Sequence, residues 1–199
     1  MPRVFQQPAR KAQRMQYYAV QVKTRGEDDY VRKLRSSYPA QDVEIIVPKR
    51  TVILRKGGIK RRGTASIFPG YIFLGVDEAV SPELRWFVRR TPDFYRFLPS
   101  NQDPIPLGGR DLDLLTHFIS FGERADTSKV AFDENDRIVV LEGPLKGLEG
   151  LIVKVDRRKG RAKVRLDMCR NSFLIDLAFS AVDRAGKGQT EPHGESRGT

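Results

Sequence analysis

Residues 137–183 constrain the fold more than any other stretch of this chain. Two apolar runs, Ile138–Leu141 and Leu151–Val155, flank a loop with glycines at 143, 147 and 150. An alternating run, Arg161–Leu166, follows the basic turn Asp156–Gly160, and a fourth run, Phe173–Leu177, closes the set. Short runs rich in β-branched residues, separated by Gly and Pro, read as strands. Strands this short must pair with one another to stay folded, so a small barrel is expected. No segment of useful length in this stretch carries helical periodicity.

Gly143-Pro144, five intervening residues, Gly150, an apolar strand and then a basic hairpin together resemble a KOW motif. Pro144 presets φ at a turn, and the glycines permit positive φ or close backbone approach. The hairpin carries Lys154, Arg157, Arg158, Lys159, Arg161, Lys163 and Arg165, interrupted by Asp156 alone. Residues two apart on a strand share a face, so Arg161, Lys163 and Arg165 oppose Ala162, Val164 and Leu166. Two readings stay open at this point: an edge that uses charge to block aggregation, or a surface for nucleic acid. On the second, Lys146, Lys154, Arg157, Arg158, Lys159, Arg161 and Lys163 are the candidate RNA-binding residues.

The composition supports a polyanionic partner without fixing a fold. Lys and Arg number 36 against 25 Asp and Glu, a formal net charge of +11 over 199 residues. One cysteine, Cys169, excludes an internal disulfide. With only His117 and His193 beside it, no zinc cluster is expected, and no other cofactor either. Cys169 is read as packing or incidental and His117 as packing or surface, neither as a catalyst. No apolar run has membrane-span length, and the basic start of the chain lacks the apolar core of a secretory signal. A soluble, monomeric protein of a reducing compartment, the cytoplasm, is expected.

The chain divides as follows. Residues 1–16 have four bases and no acids and read as a disordered arm. Tyr17–Lys23 alternates and reads as a strand. Residues 27–38 place acids first and bases later, as a helix dipole favours, with Tyr30, Val31, Leu34 and Tyr38 on its buried face. Residues 43–47 form a second strand. Residues 51–67 are an insertion in which Arg55, Lys56, Lys60, Arg61 and Arg62 surround Gly57-Gly58, a good two-residue hairpin turn. This is read either as a mobile loop with solvated charge or as a basic finger near nucleic acid. Residues 67–76, I-F-P-G-Y-I-F-L-G-V, are the most apolar of the first half and read as a central strand. Ser81-Pro82 opens a helix, residues 94–98 form another strand, and residues 111–121 a last helix. The fold class is α+β: an α/β sandwich at 17–121, a flexible linker at 122–132, and a small all-β barrel at 133–184. Residues 185–199 read as a disordered tail.

Y-Y-A-V-Q-V, a helix, F-P-G-Y-I-F-L and a carboxy-terminal KOW barrel, in this order, resemble the NusG family of transcription factors over residues 17–184. The resemblance implies an NGN domain that binds the clamp helices of RNA polymerase, bridges the DNA channel and reduces pausing. It assigns the aromatic polymerase surface to Tyr17, Phe68 and Tyr71, with a gate-loop contact near residues 81–84. The strongly basic hairpin and the segment M-C-R-N-S-F-L-I depart from general NusG and look like the specialised LoaP group. That implies an antiterminator whose KOW domain binds a nascent RNA hairpin, with non-template DNA as a further partner left open. Two alternatives remain: a general NusG coupled to Rho or the ribosome, and a ribosome-associated KOW protein. No catalytic motif is present, so an enzyme is not expected.

Overall fold

The computed structural model describes residues 15–39, 42–56 and 59–182, and only the backbone at 53–56 and 59–61. The Gly57-Gly58 turn, the tail, and all of the arm but Met15 and Gln16 lie outside the described residues.

Among the described residues the chain forms twelve strands and three α-helices. Helix α1 is Glu27–Ser37, α2 is Pro82–Arg90 and α3 is Gly109–Ile119. In the first half, β1 (Gln16–Val22), β2 (Glu44–Ile46), β5 (Tyr71–Val76) and β6 (Phe94–Phe97) form an antiparallel sheet in the order β2-β5-β1-β6. Alternation along β1 and β5 feeds two cores. Tyr18, Val20, Val22, Ile72 and Leu74 pack with Tyr30 and Leu34 of α1 and Leu84 and Val88 of α2. Tyr17, Ala19, Tyr71 and Phe73 face the other way, with Leu114, Leu115 and Phe118 of α3. All six residues of β5 are buried, which is why its sequence is apolar without interruption. Ser81 caps α2 as expected: its Oγ accepts the N–H of Leu84 at 3.1 Å. Helix α3 starts two residues earlier than its periodicity indicates.

In the second half, β8 (Ser128–Phe132), β9 (Ile138–Glu142), β10 (Ile152–Asp156), β11 (Arg161–Met168) and β12 (Asn171–Ala181) pair in the order β10-β11-β12-β8-β9. The barrel interior holds Val130, Val140, Ala162, Val164, Leu166, Ile175, Leu177 and Phe179. Gly143 has φ of +93°, and a Cβ there would lie 2.7 Å from the Ser128 backbone. The N–H of Leu145 then reaches Ser128 Oγ at 2.9 Å, so the glycine lets the KOW loop close onto the first barrel strand.

One interval differs from its sequence reading. Residues 122–132 carry β7 (Arg124–Ala125) and the whole of β8. β8 is short and mixed in polarity, and it becomes a strand because β9 and β12 pair with its two edges. The insertion pairs as the expected hairpin, a two-stranded ribbon of β3 (Lys49–Lys56) with β4 (Ile59–Ser66), in register from Lys49↔Ser66 to Lys56↔Ile59. β7 adds to its base in parallel.

Candidate functional site

The F-P-G-Y turn is held by a carboxylate that the sequence reading passes over. Glu27 Oε1, at the buried start of α1, accepts the N–H of Gly70 at 2.5 Å, while the Gly70 carbonyl accepts the N–H of Val22 at 2.8 Å. Gly70 has φ of +86°, a conformation glycine adopts without a Cβ penalty. This geometry places Phe68 and Tyr71 on the face of the sheet away from α1 and α2.

Tyr17, Phe68 and Tyr71 come together there, and all three are buried: 1%, 0% and 3% exposed. Burial, with the nearby Glu44 carboxylate, pushes the Tyr17 phenol up to about 12. Phe68 makes edge-to-face contacts with Phe73 and Phe118 of its own domain, at 5.7 and 6.0 Å. Its third contact comes from the barrel: Phe173 lies 5.6 Å from Phe68 and 5.6 Å from Tyr71, both nearly perpendicular. Asn171 Nδ2 donates to the Tyr71 hydroxyl at 2.9 Å. The barrel therefore covers the aromatic face.

Three more contacts fix that cover. His117 Nε2 lies 2.9 Å from the Pro144 carbonyl, which can only accept, so this nitrogen carries the proton. The N–H of Cys169 donates to Asp111 Oδ2 at 3.1 Å. Leu145, Leu148 and Met168 join Leu114, Leu115 and Phe118 in one cluster. An open cleft of about 460 Å³ runs along the seam, lined in part by Arg96, Leu98, Asp111, Cys169 and Arg170.

The turn of the β11–β12 hairpin sits in this seam. Cys169 and Arg170 both have positive φ, 51° and 64°. Such a pair matches the two-residue turn that twisted hairpins favour, normally built from Asn and Gly. Neither residue is suited to it, and each left-handed residue with a Cβ costs about 1–2 kcal/mol. The Asp111 bond to the strained Cys169 N–H works against that cost. Burial, then the charge and hydrogen bond of Asp111, push the Cys169 thiol up to about 12. Thiolate is the reactive form, and its greater intrinsic nucleophilicity offsets only part of its scarcity, so at pH 8 alkylation of this sole cysteine is expected to be roughly a hundredfold slower than for an ordinary thiol. Iodoacetamide labelling followed by mass spectrometry measures this, and a rate equal to that of free cysteine would contradict the burial.

The basic hairpin is only partly free. Arg157 lies over the Phe132 ring at 3.6 Å and bonds Asp136 Oδ1 at 2.9 Å. Lys159 pairs with Asp156 at 3.4 Å and Lys163 with Asp176 at 3.5 Å. Lys146 Nζ donates to the Val140 carbonyl at 3.1 Å. Among the described residues, Lys154, Arg158 and Arg165 make no ion pair. The expected alternation holds along β11: Ala162, Val164 and Leu166 are buried, Lys163 is half-buried and Arg165 exposed.

Sequence reasoning treats the ribbon and the hairpin as separate basic features, and the fold joins them. Arg50, at the foot of β3, donates from Nη1 to the Asp176 carbonyl of β12 at 2.8 Å. Burial lowers its pKa, with Asp176 opposing and Arg161 reinforcing the shift. Arg62 is exposed. The side chains of Arg55, Lys56, Lys60 and Arg61 lie outside the described set, but their backbone continues the ribbon from this foot. Phe132, Asp111, Asn171 and Phe173 carry no motif signal. Each matters through a partner distant in sequence.

The family described as "Transcription termination factor nusG" matches residues 15–116, just over half of the chain, and the KOW motif matches residues 134–167. The chain belongs to the NusG family. The termination/antitermination protein NusG of Thermus thermophilus is 28% identical over 151 residues, 71% of this chain and 80% of that protein. The Escherichia coli K12 protein is 25% identical over 182 residues, 88% and 99%. A solved structure, described as domain interaction in Thermotoga maritima NusG, aligns with a TM-score of 0.53 at 21% identity, covering 84% of this chain and 95% of its own. The likeness bears on fold: an NGN-type α+β domain followed by a KOW barrel. Among the described residues, no His, Cys, Asp or Glu cluster could hold a metal, and no helix is long and apolar enough to cross a membrane.

Proposed function

We propose that this NusG-family chain is an elongation and antitermination factor that binds RNA polymerase through Tyr17, Phe68 and Tyr71 and a nascent RNA hairpin through its basic KOW strip. The observation that carries the reading is the cover over the aromatic face. Phe68 and Tyr71 are buried in part by a second domain, through two aromatic edges and one exposed amide, rather than by their own domain alone. Buried aromatics dominate interface energies, so a partner with an apolar surface gains most where Phe173 now sits. Polymerase then competes with the barrel for one face. In this arrangement the factor is closed, and opening it frees the polymerase surface, whereas the side-chain contacts of the strip lie within the barrel. The ribbon carrying Arg55, Lys56, Lys60, Arg61 and Arg62, rooted beside the strip by Arg50, is assigned to the same nucleic-acid surface, with non-template DNA as its nearest candidate.

The test is crosslinking of the factor to transcripts in cells, with co-purification of polymerase after nuclease treatment. Polymerase recovery and reads confined to a few leader hairpins are expected. Reads spread across all genes would return the chain to general NusG. Sedimentation with ribosomal subunits independent of transcription would overturn both.

A further inference from the structure

The cleft along the seam, about 460 Å³ in volume, has a basic end and an apolar wall. Arg96 of β6 supplies one cation from the first domain. Its Nε donates to Gln21 Oε1 at 2.9 Å, and its guanidinium makes no other hydrogen bond or ion pair among the described residues. Arg170 supplies a second cation from the barrel, and its exposed guanidinium makes neither kind of bond among the described residues. Leu98, Ile105 and Leu107 line the cleft beside them. Asp111 is the only acid in the lining, and its Oδ2 is taken by the Cys169 N–H at 3.1 Å.

The backbone of Arg170 is a second, independent observation. Its φ of 64° belongs to a turn position that Asn or Gly would fill without strain. Strained residues persist where the surrounding structure holds them, and they cluster at ligand clamps. What glycine cannot supply at this position is a guanidinium at the cleft.

We infer that the cleft binds a small organic phosphate, with the phosphate between Arg96 and Arg170 and the apolar body along Leu98, Ile105 and Leu107. Guanidinium groups match phosphate oxygens bidentately. Small-molecule sites favour domain interfaces and span about 300–1,000 Å³, mostly apolar with a few placed polar groups. One guanidinium comes from each domain, so the closed arrangement alone presents both. A ligand shifts a population by its differential affinity for the two states, and this one holds the factor closed. That regulatory step rests on the competition with polymerase proposed above, whereas the site itself does not.

Cys169 lines the same cleft and is the sole cysteine, so its iodoacetamide labelling in the full chain reads occupancy at the site. The probes are AMP, phenyl phosphate, inorganic phosphate and adenosine at constant ionic strength. Saturable protection by AMP and by phenyl phosphate is expected, with far weaker protection by inorganic phosphate and none by adenosine. Arg96→Gln and Arg170→Gly are each expected to raise the half-protecting concentration roughly 10- to 150-fold, the range of one charge-assisted hydrogen bond. Arg170→Lys should raise it less. Each variant is compared with its own rate without probe. Arg170→Gly is also expected to keep or raise the melting temperature, because glycine suits a positive φ. Loss of ligand without loss of stability separates a binding role from a structural one. Polymerase pull-down is then repeated with saturating phenyl phosphate, and lower retention is expected. An unprotected Cys169 in the parent chain, protection undiminished in both variants, or inorganic phosphate as effective as AMP would overturn the site. Protection with unchanged polymerase retention would overturn the regulatory step alone. Failure to recover polymerase even without probe would count against the polymerase reading and leave the site standing.

Discussion

Phe173→Ala is expected to increase the retention of this factor on RNA polymerase, although the residue belongs to the barrel and not to the domain proposed to bind polymerase. Its ring makes two edge-to-face contacts across the seam, each at 5.6 Å. Such pairs contribute about 0.5–1.5 kcal/mol apiece, so the open form should gain about 1–3 kcal/mol, a roughly 5- to 150-fold shift. Phe68→Ala with Tyr71→Ala removes the same contacts from the other side and is expected to abolish retention. Opposite outcomes from the two halves of one contact are the signature of competition. Phe173 pairs in register with Leu166 of the barrel core, so its loss could also loosen the barrel. Asn171 is exposed; Asn171→Ala removes its bond to Tyr71 across the seam and a local one to the Cys169 carbonyl, and a smaller gain of the same sign is expected from it. The measurement is polymerase pull-down at equal concentrations, with circular dichroism on every variant. Faster alkylation of Cys169 in Phe173→Ala would report opening independently. Reduced retention of both folded barrel variants would show that the seam does not gate polymerase binding.

Arg158→Ala is expected to weaken binding of an RNA stem-loop by about 1–2 kcal/mol, roughly 5- to 30-fold, as befits a lost charge-assisted hydrogen bond. The sequence alone treats Arg157 and Arg158 as equivalent. The structure separates them, because the Arg157 guanidinium is already spent on Phe132 and Asp136. Arg157→Ala should therefore lower the melting temperature, since it uncovers Phe132, and cost less RNA affinity than Arg158→Ala. Lys159→Ala should cost least, because its exposed pair with Asp156 is worth little in either state. With Lys154, Arg158 and Arg165 making no ion pair among the described residues and Lys163 able to exchange Asp176 for phosphate, a slope of about −2 to −3 against log salt is expected for the parent chain, at about −0.7 per contact. Loss of one contact should reduce it by about 0.7. Salt titrations of the full chain with a stem-loop and a scrambled strand measure both. An Arg158→Ala variant as tight as the parent would leave the strip a solvated edge.

Much of the fold is legible in local sequence because local physics decides it. β5 declares itself by being apolar at every position, and both its faces are covered. Ser81-Pro82 starts α2 because an N-cap hydroxyl and a proline suit an end whose N–H groups lack partners. Gly143 marks the KOW turn because no Cβ fits against Ser128. The alternation of β11 gives its buried and charged faces without reference to anything else in the chain.

What the sequence leaves undecided has its cause at long range. β8 looks like linker because a short mixed segment becomes a strand only when edges elsewhere demand hydrogen bonds. Cys169-Arg170 carries no turn signature. Both residues adopt positive φ where the barrel meets Asp111, fifty-eight residues away. The chemical identity of Phe68 and Tyr71 marks them as apolar and large, and thus fit for a core or an interface alike. Sequence determines that such residues seek burial. Only the tertiary structure decides that their cover is a second domain, because burial is a property of what packs against a side chain and not of the side chain itself.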